Sequence, residues 1–527
     1  MYKSHKPTFR NCNLRVAVVT SLLTQNLVSI AVASSEVVIN IDTLTSSPIA
    51  PGLSGFNAPQ LRNGVEYYDP KFLAAVAPLK PGWLRFPAGT ASMDFDWSTG
   101  FANVNWMNSL ISGSPPLVNS GVQSNLVAAQ MLTQAKGGVF LSDFATFANT
   151  LGAAAIICFN GYTDTNPSSA GLMALAAQRN SLNVIEWELA NEPYNFPAIF
   201  PTAASYATAM NSPYFTDLVA AAPAATVGLF SAGQFTGTSI DYNTWDTGLS
   251  NYTPQYWNAA SIHVYPISSS MTAADTLKTL NGILAHGTVD YLNSYLLPLI
   301  GANTPVFITE LNCCTLQSNK FLSALYNGIF LAEYVARVST VPNVKAVGVN
   351  SLYTDNADLH GLIQSVNDFE SYLISNVVAN PNFSTNTATD PNTQFQFYTS
   401  APGLAMAVAN QAINSSTQIW PTTVSGGPTV AILGYDGLPI PAIFAQGYMG
   451  NNGKHYLLIT NKASKALRTK IEVNGVGLNN SLTVAYVSNS SPAAANTAQL
   501  PNNVQIQNAI SLDPLMIQPY SVTCVTW

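Results

Sequence analysis

The segment Val184–Pro193 reads Val-Ile-Glu-Trp-Glu-Leu-Ala-Asn-Glu-Pro, a short strand-like run that ends in Asn191, Glu192 and Pro193. A second segment, Pro305–Asn312, reads Pro-Val-Phe-Ile-Thr-Glu-Leu-Asn and ends in the same way around Glu310. Barrel enzymes assemble their chemistry from residues at the carboxyl ends of parallel strands. The two segments therefore predict two carboxylates at one end of a barrel.

Apolar runs of this kind alternate with helix-like stretches across residues 51–414. In residues 321–338, for example, apolar side chains recur at steps of three and four, which predicts a buried helix. Eight such units over this length predict a (β/α)8 (TIM) barrel, with its longest insertion over residues 98–138. The predicted strands are Leu53–Asn57, Trp83–Phe86, Ala154–Asn160, Val184–Leu189, Thr226–Phe230, Ala260–Tyr265, Pro305–Thr309 and Lys345–Ser351.

The composition changes near residue 415. Residues 415–527 are rich in Val, Ile, Thr, Asn and Gly, in short runs separated by turn pairs such as Asn474-Gly475. This pattern predicts a C-terminal antiparallel β-sandwich domain. Residues 34–50 contain one more strand-like run, Val37–Ile41, which lies outside the eight barrel strands and is predicted to join the sandwich. The predicted fold class is α/β, a TIM barrel followed by a β-sandwich.

The first residues have the pattern of an export signal. Basic side chains between Lys3 and Arg15 precede a mostly apolar run that ends in Ala31-Val32-Ala33. A basic region, an apolar region and a small-x-small end predict a signal peptide over residues 1–33, and hence a secreted or periplasmic mature protein. The alternative is an uncleaved amino-terminal helix.

The composition excludes several classes of partner. Charged residues make up 9% of the chain and the net charge is −7, so there is no basic surface for nucleic acid. No stretch after the amino terminus approaches the ~20 apolar residues of a membrane span, so no membrane partner is expected after signal cleavage. With five histidines and no HExxH or CxxC pattern, neither a catalytic metal nor a cofactor is expected.

Two facing carboxylates suit the hydrolysis of a glycosidic bond. A retaining glycosidase needs two carboxyl groups ~5–5.5 Å apart, one that attacks the anomeric carbon and one that transfers protons. The fourth and seventh strands face each other across a barrel mouth, so Glu192 and Glu310 are predicted to form this pair. The ionised nucleophile raises the pKa of its neighbour, which stays protonated as general acid and later acts as base.

A family resemblance assigns the two roles. Trp187–Pro193 resembles the acid/base strand of clan A glycoside hydrolases. It is most similar to the heparanase and β-glucuronidase family, glycoside hydrolase family 79, which has glycine where this chain has Ala190. The resemblance implies that Glu192 is the general acid/base, that Asn191 binds the sugar 2-hydroxyl, and that Glu310 is the nucleophile.

Further candidate site residues follow from the other strand ends. The segment Leu84–Thr90 resembles an Arg-(Pro)-Gly-Gly segment of that family and of clan A arabinofuranosidases. Its Arg85 is expected either to bridge barrel carboxylates such as Glu188 or to hold Glu310 ionised, and the two roles are compatible. The remaining candidates for substrate binding are His263, Tyr265 and Asn160, although a histidine in an apolar strand is also a common core residue.

The resemblance alone makes a β-glucuronide or related uronide the first expectation for the substrate. The glycine-rich stretch that follows the nucleophile in heparanase-like enzymes is absent, and Leu311–Cys314 stands in its place. An α-L-arabinofuranoside and a neutral β-glycoside remain alternatives, as do transglycosylation and a catalytically silent carbohydrate-binding protein. In each case the partner is an oligosaccharide, polysaccharide or glycoside. Cys313 and Cys314 are adjacent, and an exported protein could join them in a vicinal disulfide.

Overall fold

The structure is a computed structural model that describes residues 36–62, 64–87, 89–166, 168–233, 241–267, 272–354, 358–366, 369–382, 396–430 and 439–527. The predicted signal peptide, residues 1–33, lies outside the described residues. None of the helices in the described part of the chain combines the length and the apolar character that a membrane crossing needs.

Eight parallel strands close into a barrel, and each lies within two residues of its predicted bounds. The predicted fold class is therefore confirmed. The strands follow one another in chain order, and the eighth pairs with the first. They are β1 (Ser54–Asn57), β2 (Trp83–Phe86), β3 (Ala154–Phe159), β4 (Val184–Leu189), β5 (Val227–Phe230), β6 (Ala259–Val264), β7 (Val306–Leu311) and β8 (Val344–Val349).

Helices fill the connections between the strands. The α-helices are Pro70–Val76, Val104–Ile111, Ser120–Lys136, Leu141–Leu151, Ser169–Arg179, Ala203–Met210, Thr216–Ala221, Tyr242–Ser250, Ala273–Gly282, Thr288–Tyr291, Leu297–Ile300, Leu325–Val338, Phe369–Ala379 and Ala401–Ile413. Shorter 3-10 turns are Gln60–Arg62, Ala77–Leu79, Thr90–Asp94, Pro193–Asn195 and Lys320–Ser323. Single π-helical turns are Ile283–Gly287 and Leu292–Leu296, whereas Asn211–Phe215 is a kink between two helices in which Ser212 has φ −138° and ψ 129°.

The barrel interior has an apolar layer under a polar one. Trp83 on β2 is fully buried and packs with Ile156 and Phe307. A Cβ atom at Gly55 would lie 2.3 Å from the Trp83 ring, and one at Gly348 would lie 2.2 Å from it. Both glycines are therefore required for the indole to fill the barrel. Side chains two residues apart on a strand share a face, so Arg85 enters the interior directly above Trp83.

The sandwich consists of two sheets. The larger contains Ser47–Pro48, Ser416–Trp420, Ile443–Gly450, His455–Asn461, Ser521–Thr526, Leu482–Ser488 and Gln507–Ser511, in that order. The smaller contains Thr422–Ser425, Val37–Ile41, Leu467–Val473, Val476–Gly477 and Leu515–Ile517. Val37–Ile41 lies inside the smaller sheet, antiparallel to Thr422–Ser425 and parallel to Leu467–Val473. Within the described residues, the other pairings of the sandwich are antiparallel.

A buried ion pair joins the barrel to the sandwich. Glu333, on helix Leu325–Val338, accepts hydrogen bonds from Lys462 Nζ at 2.5 Å and from Thr460 Oγ1 at 2.6 Å. The side chains of Glu333 and Lys462 are both fully buried. Burial alone would raise the pKa of Glu333, but the charges of Lys462 and Arg337 outweigh it and lower that pKa.

Lys462→Met should lower the free energy of unfolding by roughly 3–5 kcal/mol, because it removes the closest cation from a buried carboxylate. Since the pKa of Glu333 is lowered in the folded protein, its contribution is present above about pH 4 and is lost as the pH falls further. Urea unfolding at pH 7 and pH 3 measures both effects. Lys470→Met is the matched control, since its ion pair with Glu472 is exposed. Equal losses in the two variants would contradict the role of the buried pair.

Candidate active site

Charged and polar side chains converge at the carboxyl end of the barrel. They come from the strands themselves or from the few residues that follow each strand. The set comprises Asn57 from β1, Arg85 from β2, Glu188, Asn191 and Glu192 from β4, His263 and Tyr265 from β6, Thr309 and Glu310 from β7, and Asn350 from β8.

Arg85 is at the centre of this cluster and is fully buried. Its Nε donates to Glu188 Oε2 at 2.6 Å, and its Nη1 donates to Glu310 Oε1 at 2.7 Å. Nη1 also contacts Asn57 Oδ1 at 2.9 Å, and Nη2 donates to Asn191 Oδ1 at 2.8 Å. Arg85 therefore makes both contacts expected from the sequence: it bridges two barrel carboxylates, and one of them is Glu310.

Glu310 is held in its ionised form. Oε1 accepts from Arg85 and Oε2 accepts from the Tyr265 hydroxyl, while His263 Nδ1 lies 3.7 Å from Oε2. Burial alone would raise the pKa of Glu310, but the charges of His263 and Arg85 and these hydrogen bonds together lower it. A Cβ atom at Gly89 would lie 2.7 Å from Oε1, so the loop passes the carboxylate this closely only with glycine there.

Glu192 has a different environment. His263 Nδ1 lies 2.7 Å from its Oε1, Tyr194 donates to Oε1 at 3.4 Å, and Asn195 Nδ2 donates to Oε2 at 3.1 Å. Its side chain is 15% exposed, against 9% for Glu310. Glu192 and Ala190 have φ angles of 49° and 69°, a left-handed conformation that non-glycine residues seldom adopt. These turns direct the Glu192 carboxylate toward the barrel axis.

The carboxylates of Glu192 and Glu310 lie close together at the barrel mouth. One oxygen of Glu192, one oxygen of Glu310 and a ring nitrogen of His263 all lie within 4.8 Å of one another. Retaining glycosidases place their carboxyl groups ~5–5.5 Å apart, whereas inverting enzymes need ~6.5–9.5 Å to admit a water molecule. Three such side chains are also a possible metal-ligand set, but the positive charge of Arg85, 2.7 Å from Glu310, disfavours a second cation there.

Glu186 lies deeper in the barrel than the other glutamates of β4. Its Oε1 accepts from Ser261 Oγ at 2.7 Å, and it is fully buried. Burial raises the pKa of Glu186 well above its ordinary value, and the charge of Glu188 raises it further. Both effects disfavour the ionised form of Glu186.

Asn160 differs from its expected role as a sugar ligand. Its Oδ1 accepts from the backbone N–H groups of Tyr162 and Thr163, at 3.0 and 3.1 Å. Its Nδ2 donates to Phe95 O at 3.3 Å and to Thr163 Oγ1 at 3.0 Å. Both amide protons and both oxygen lone pairs are thus used by the protein. Asn160 shapes the loop after β3 and has no hydrogen-bonding group left for a substrate.

Asn57, Tyr194, Asn195 and Asn350 belong to the cluster, but sequence reasoning did not select them. Asn57 and Asn350 stand at the ends of β1 and β8, so the strand-end rule that found Glu192 and Glu310 also applies to them. Tyr194 and Asn195 follow Glu192 in a 3-10 turn. No periodicity or motif marks these two residues, because only the turn geometry directs them back to the carboxylate.

Cys313 and Cys314 are free buried thiols in the structure, so the vicinal disulfide considered from the sequence is not formed. A hydrogen bond from Cys313 lowers the pKa of Cys314 to about 7. The Cys313 carbonyl accepts from the backbone N–H of Ile267 at 2.9 Å. This contact joins the loop after β7 to the loop after β6, which carries Tyr265.

Tyr265→Phe should raise the pKa of Glu310, because it removes a hydrogen bond that favours the carboxylate. We expect a rise of roughly one unit, the size of one hydrogen bond to a charged group. Carboxyl-carbon NMR titration of protein labelled on its nine glutamates, assigned with Glu310→Gln, measures this pKa. The wild-type value should lie below the ordinary ~4.3 of glutamate. Tyr398→Phe is the control, since that hydroxyl bonds Gln364 instead; an unchanged Glu310 pKa in Tyr265→Phe would refute the electrostatic account.

Solved structures with the same fold are glycoside hydrolases. No protein-family model matches the sequence, and no curated protein sequence matches it. A family 51 arabinofuranosidase from Xanthomonas axonopodis pv. citri has 14% identity and a TM-score of 0.65, covering 93% of this chain and 99% of its own. An α-L-arabinofuranosidase from Thermotoga maritima has 17% identity and a TM-score of 0.63, with the same coverage. A family 44 xyloglucanase from Paenibacillus polymyxa has 11% identity and a TM-score of 0.53, again with that coverage. The chain thus shares the fold of these clan A enzymes along nearly its whole described length.

Proposed function

We propose that the protein is a retaining glycoside hydrolase that acts on α-L-arabinofuranosides, with Glu310 as nucleophile and Glu192 as general acid/base. The observation that carries this proposal is the pair of carboxylates at the ends of β4 and β7, with oxygens within 4.8 Å of each other. This close approach favours retention, because inverting enzymes space their carboxyl groups ~6.5–9.5 Å apart to admit a water molecule.

The two environments support the division of roles. Arg85 lies 2.7 Å from Glu310, which keeps that carboxylate ionised for attack on the anomeric carbon. Glu192 has no such contact with lysine or arginine among the described residues, and its partners are His263, Tyr194 and Asn195. Glu192 gives its proton to the departing oxygen as the glycosyl ester forms on Glu310. It then takes a proton from the water that hydrolyses the ester, which restores both carboxyl groups.

Asn191 supports sugar recognition. Its Oδ1 accepts from Arg85 Nη2 at 2.8 Å, so the direction of the amide is fixed. Its Nδ2 has no hydrogen-bond partner among the described residues and is free to donate to a sugar hydroxyl. This supports the role that the family resemblance implies for Asn191 next to the 2-hydroxyl.

The proposed sugar follows from the hydrogen bonds that Arg85 makes and from the solved structures with the same fold. A β-glucuronide, the first expectation from the sequence, presents a carboxylate that needs a cation or several donors. Four of the five N–H donors of Arg85 bond protein side chains and the residue is fully buried, which disfavours its binding a uronate. The solved structures with the highest TM-scores reported above are arabinofuranosidases. Both observations favour a neutral pentofuranoside over a uronide.

Purified protein should hydrolyse an aryl α-L-arabinofuranoside faster than aryl β-glucuronide, β-glucoside, β-xyloside or β-galactoside. Glu310→Ala should lower kcat/KM on the order of 10⁴-fold or more, because the nucleophile is lost. Glu472→Gln, on the sandwich, is the control and should retain activity. Proton NMR of the first product should show the anomer with retained configuration. A first product of inverted configuration would refute the mechanism, and sugar binding without turnover would identify a carbohydrate-binding protein instead.

The loss of activity in Glu192→Ala should depend on the leaving group of the substrate. On substrates with poor leaving groups, kcat/KM should fall roughly 10²–10⁴-fold, because these need protonation by a general acid. On aryl glycosides with acidic phenols the first step needs little protonation, so the loss should be much smaller. Steady-state kinetics over a series of phenols tests this. Equal losses across the series would exclude Glu192 as the general acid.

A further inference from the structure

Asn350, the residue that directly follows β8, contacts the tyrosine that holds the nucleophile. Its Nδ2 donates to the Tyr265 hydroxyl oxygen at 2.7 Å. The same hydroxyl donates to Glu310 Oε2. Asn350 therefore lies one hydrogen bond behind Tyr265 and two behind the nucleophile, on the side opposite to the contact from Arg85 at Oε1.

A series of side-chain amides fixes Asn350. The backbone carbonyl oxygen of Asn350 accepts from Asn312 Nδ2 at 2.6 Å, and its backbone N–H donates to Leu311 O at 3.0 Å. Asn312 Oδ1 in turn accepts from Asn327 Nδ2 at 3.0 Å. Asn327 is fully buried on helix Leu325–Val338. The series thus anchors Asn350 to a rigid helix behind the barrel.

The contact from Asn350 decides where the tyrosine proton points. A phenol hydroxyl has one proton and can also accept hydrogen bonds. The Asn350 amide is a donor, so the hydroxyl oxygen must accept from it, and the single tyrosine proton is left for Glu310. Hydrogen bonds in such a chain polarise one another, so the bond from Asn350 strengthens the one that Tyr265 donates.

We propose that Asn350 is a positioning residue for the hydrolytic reaction, which acts through Tyr265 to direct a proton at Glu310 Oε2. The inference rests on the proposed function, in which Glu310 is the nucleophile. Asn350 touches neither Glu310 nor the reacting atoms; it keeps the carboxylate in one orientation and stabilises its negative charge. That charge returns to Glu310 when the glycosyl ester is hydrolysed, so the contact assists the second step of the reaction as well.

The test is a double-mutant cycle on kcat/KM and on its pH dependence. Asn350→Ala should lower kcat/KM about tenfold, the size of one hydrogen bond that supports a charged group. It should also move the acid limb of the profile upward, because the Glu310 carboxylate loses stabilisation. In the Tyr265→Phe background the same substitution should have no further effect, since its route to Glu310 is already gone.

Asn350→Asp is the sharper variant because it keeps the shape and reverses the hydrogen bond. An aspartate at this position accepts the tyrosine proton and adds a negative charge near Glu310. We expect a loss of about a hundredfold in kcat/KM and a larger upward move of the acid limb than in Asn350→Ala. Asn149→Ala is the matched control, because it removes an exposed asparagine amide that bonds a backbone carbonyl, on the helix that precedes β3.

Carboxyl-carbon NMR of Glu310 separates this inference from the proposed function. If Asn350 acts as proposed, Asn350→Ala raises the Glu310 pKa only when Tyr265 is present, whether or not a glycoside is hydrolysed. Wild-type protein that turns over no glycoside would overturn the proposed function. The NMR titration of Glu310 would still test whether the hydrogen bond from Asn350 to Tyr265 affects the Glu310 pKa. A folded Asn350→Ala with unchanged Glu310 pKa and kcat/KM would overturn the inference. If neither Asn350→Ala nor Asn350→Asp folds, Asn350→Gln keeps an amide donor, and the Glu310 pKa in this variant should stay near the wild-type value. A Glu310 pKa raised in folded Asn350→Gln as far as in Tyr265→Phe would count against the proposal.

Discussion

The buried guanidinium of Arg85 is the constraint on which the site depends. A charge inside a barrel is tolerated only when opposite charges and hydrogen-bond acceptors surround it, and four side chains do so here. Arg85 bonds both Glu188 and Glu310, so its one positive charge is shared between two carboxylates. Burial disfavours the ionised form of the neighbouring Glu186, because it raises the pKa of that carboxyl. The barrel thus stabilises the Glu310 carboxylate without cancelling its charge, as a nucleophile requires.

The barrel could be predicted from the sequence because the pattern of apolar runs that marks each strand is local and recurs eight times. Each strand is a short apolar run between a helix and a loop, and eight of them in series admit few other folds. Glu192 and Glu310 were found by the same reasoning, since each ends a strand. The contact between Arg85 and the glutamates could also be anticipated, because a buried arginine in a strand needs acidic partners.

The rest of the site depends on contacts that no local pattern encodes. Asn350 and Tyr265 are distant in the chain and meet only because β6 and β8 flank β7 in the closed barrel. Asn160 has the position of a sugar ligand, yet the turn after β3 uses its whole amide. The first expectation for the sugar came from family resemblance alone, and the neutral pentofuranoside proposed in its place depends on which donors of Arg85 are already used by the protein. Substrate choice is set by loops and by which polar groups remain free, neither of which a strand pattern reveals.

The position of Val37–Ile41 has a consequence for how the protein is made. This strand is among the first parts of the described chain to leave the ribosome, but Val37 pairs with Thr469, so most of the chain must be synthesised before its neighbours exist. The barrel strands follow one another in chain order, so the barrel can fold before Val37–Ile41 finds its partner strands. Pairings of such long sequence separation form slowly. Completion of the sandwich is therefore a late step in biogenesis, and no single cut in the chain divides the protein into two self-sufficient pieces.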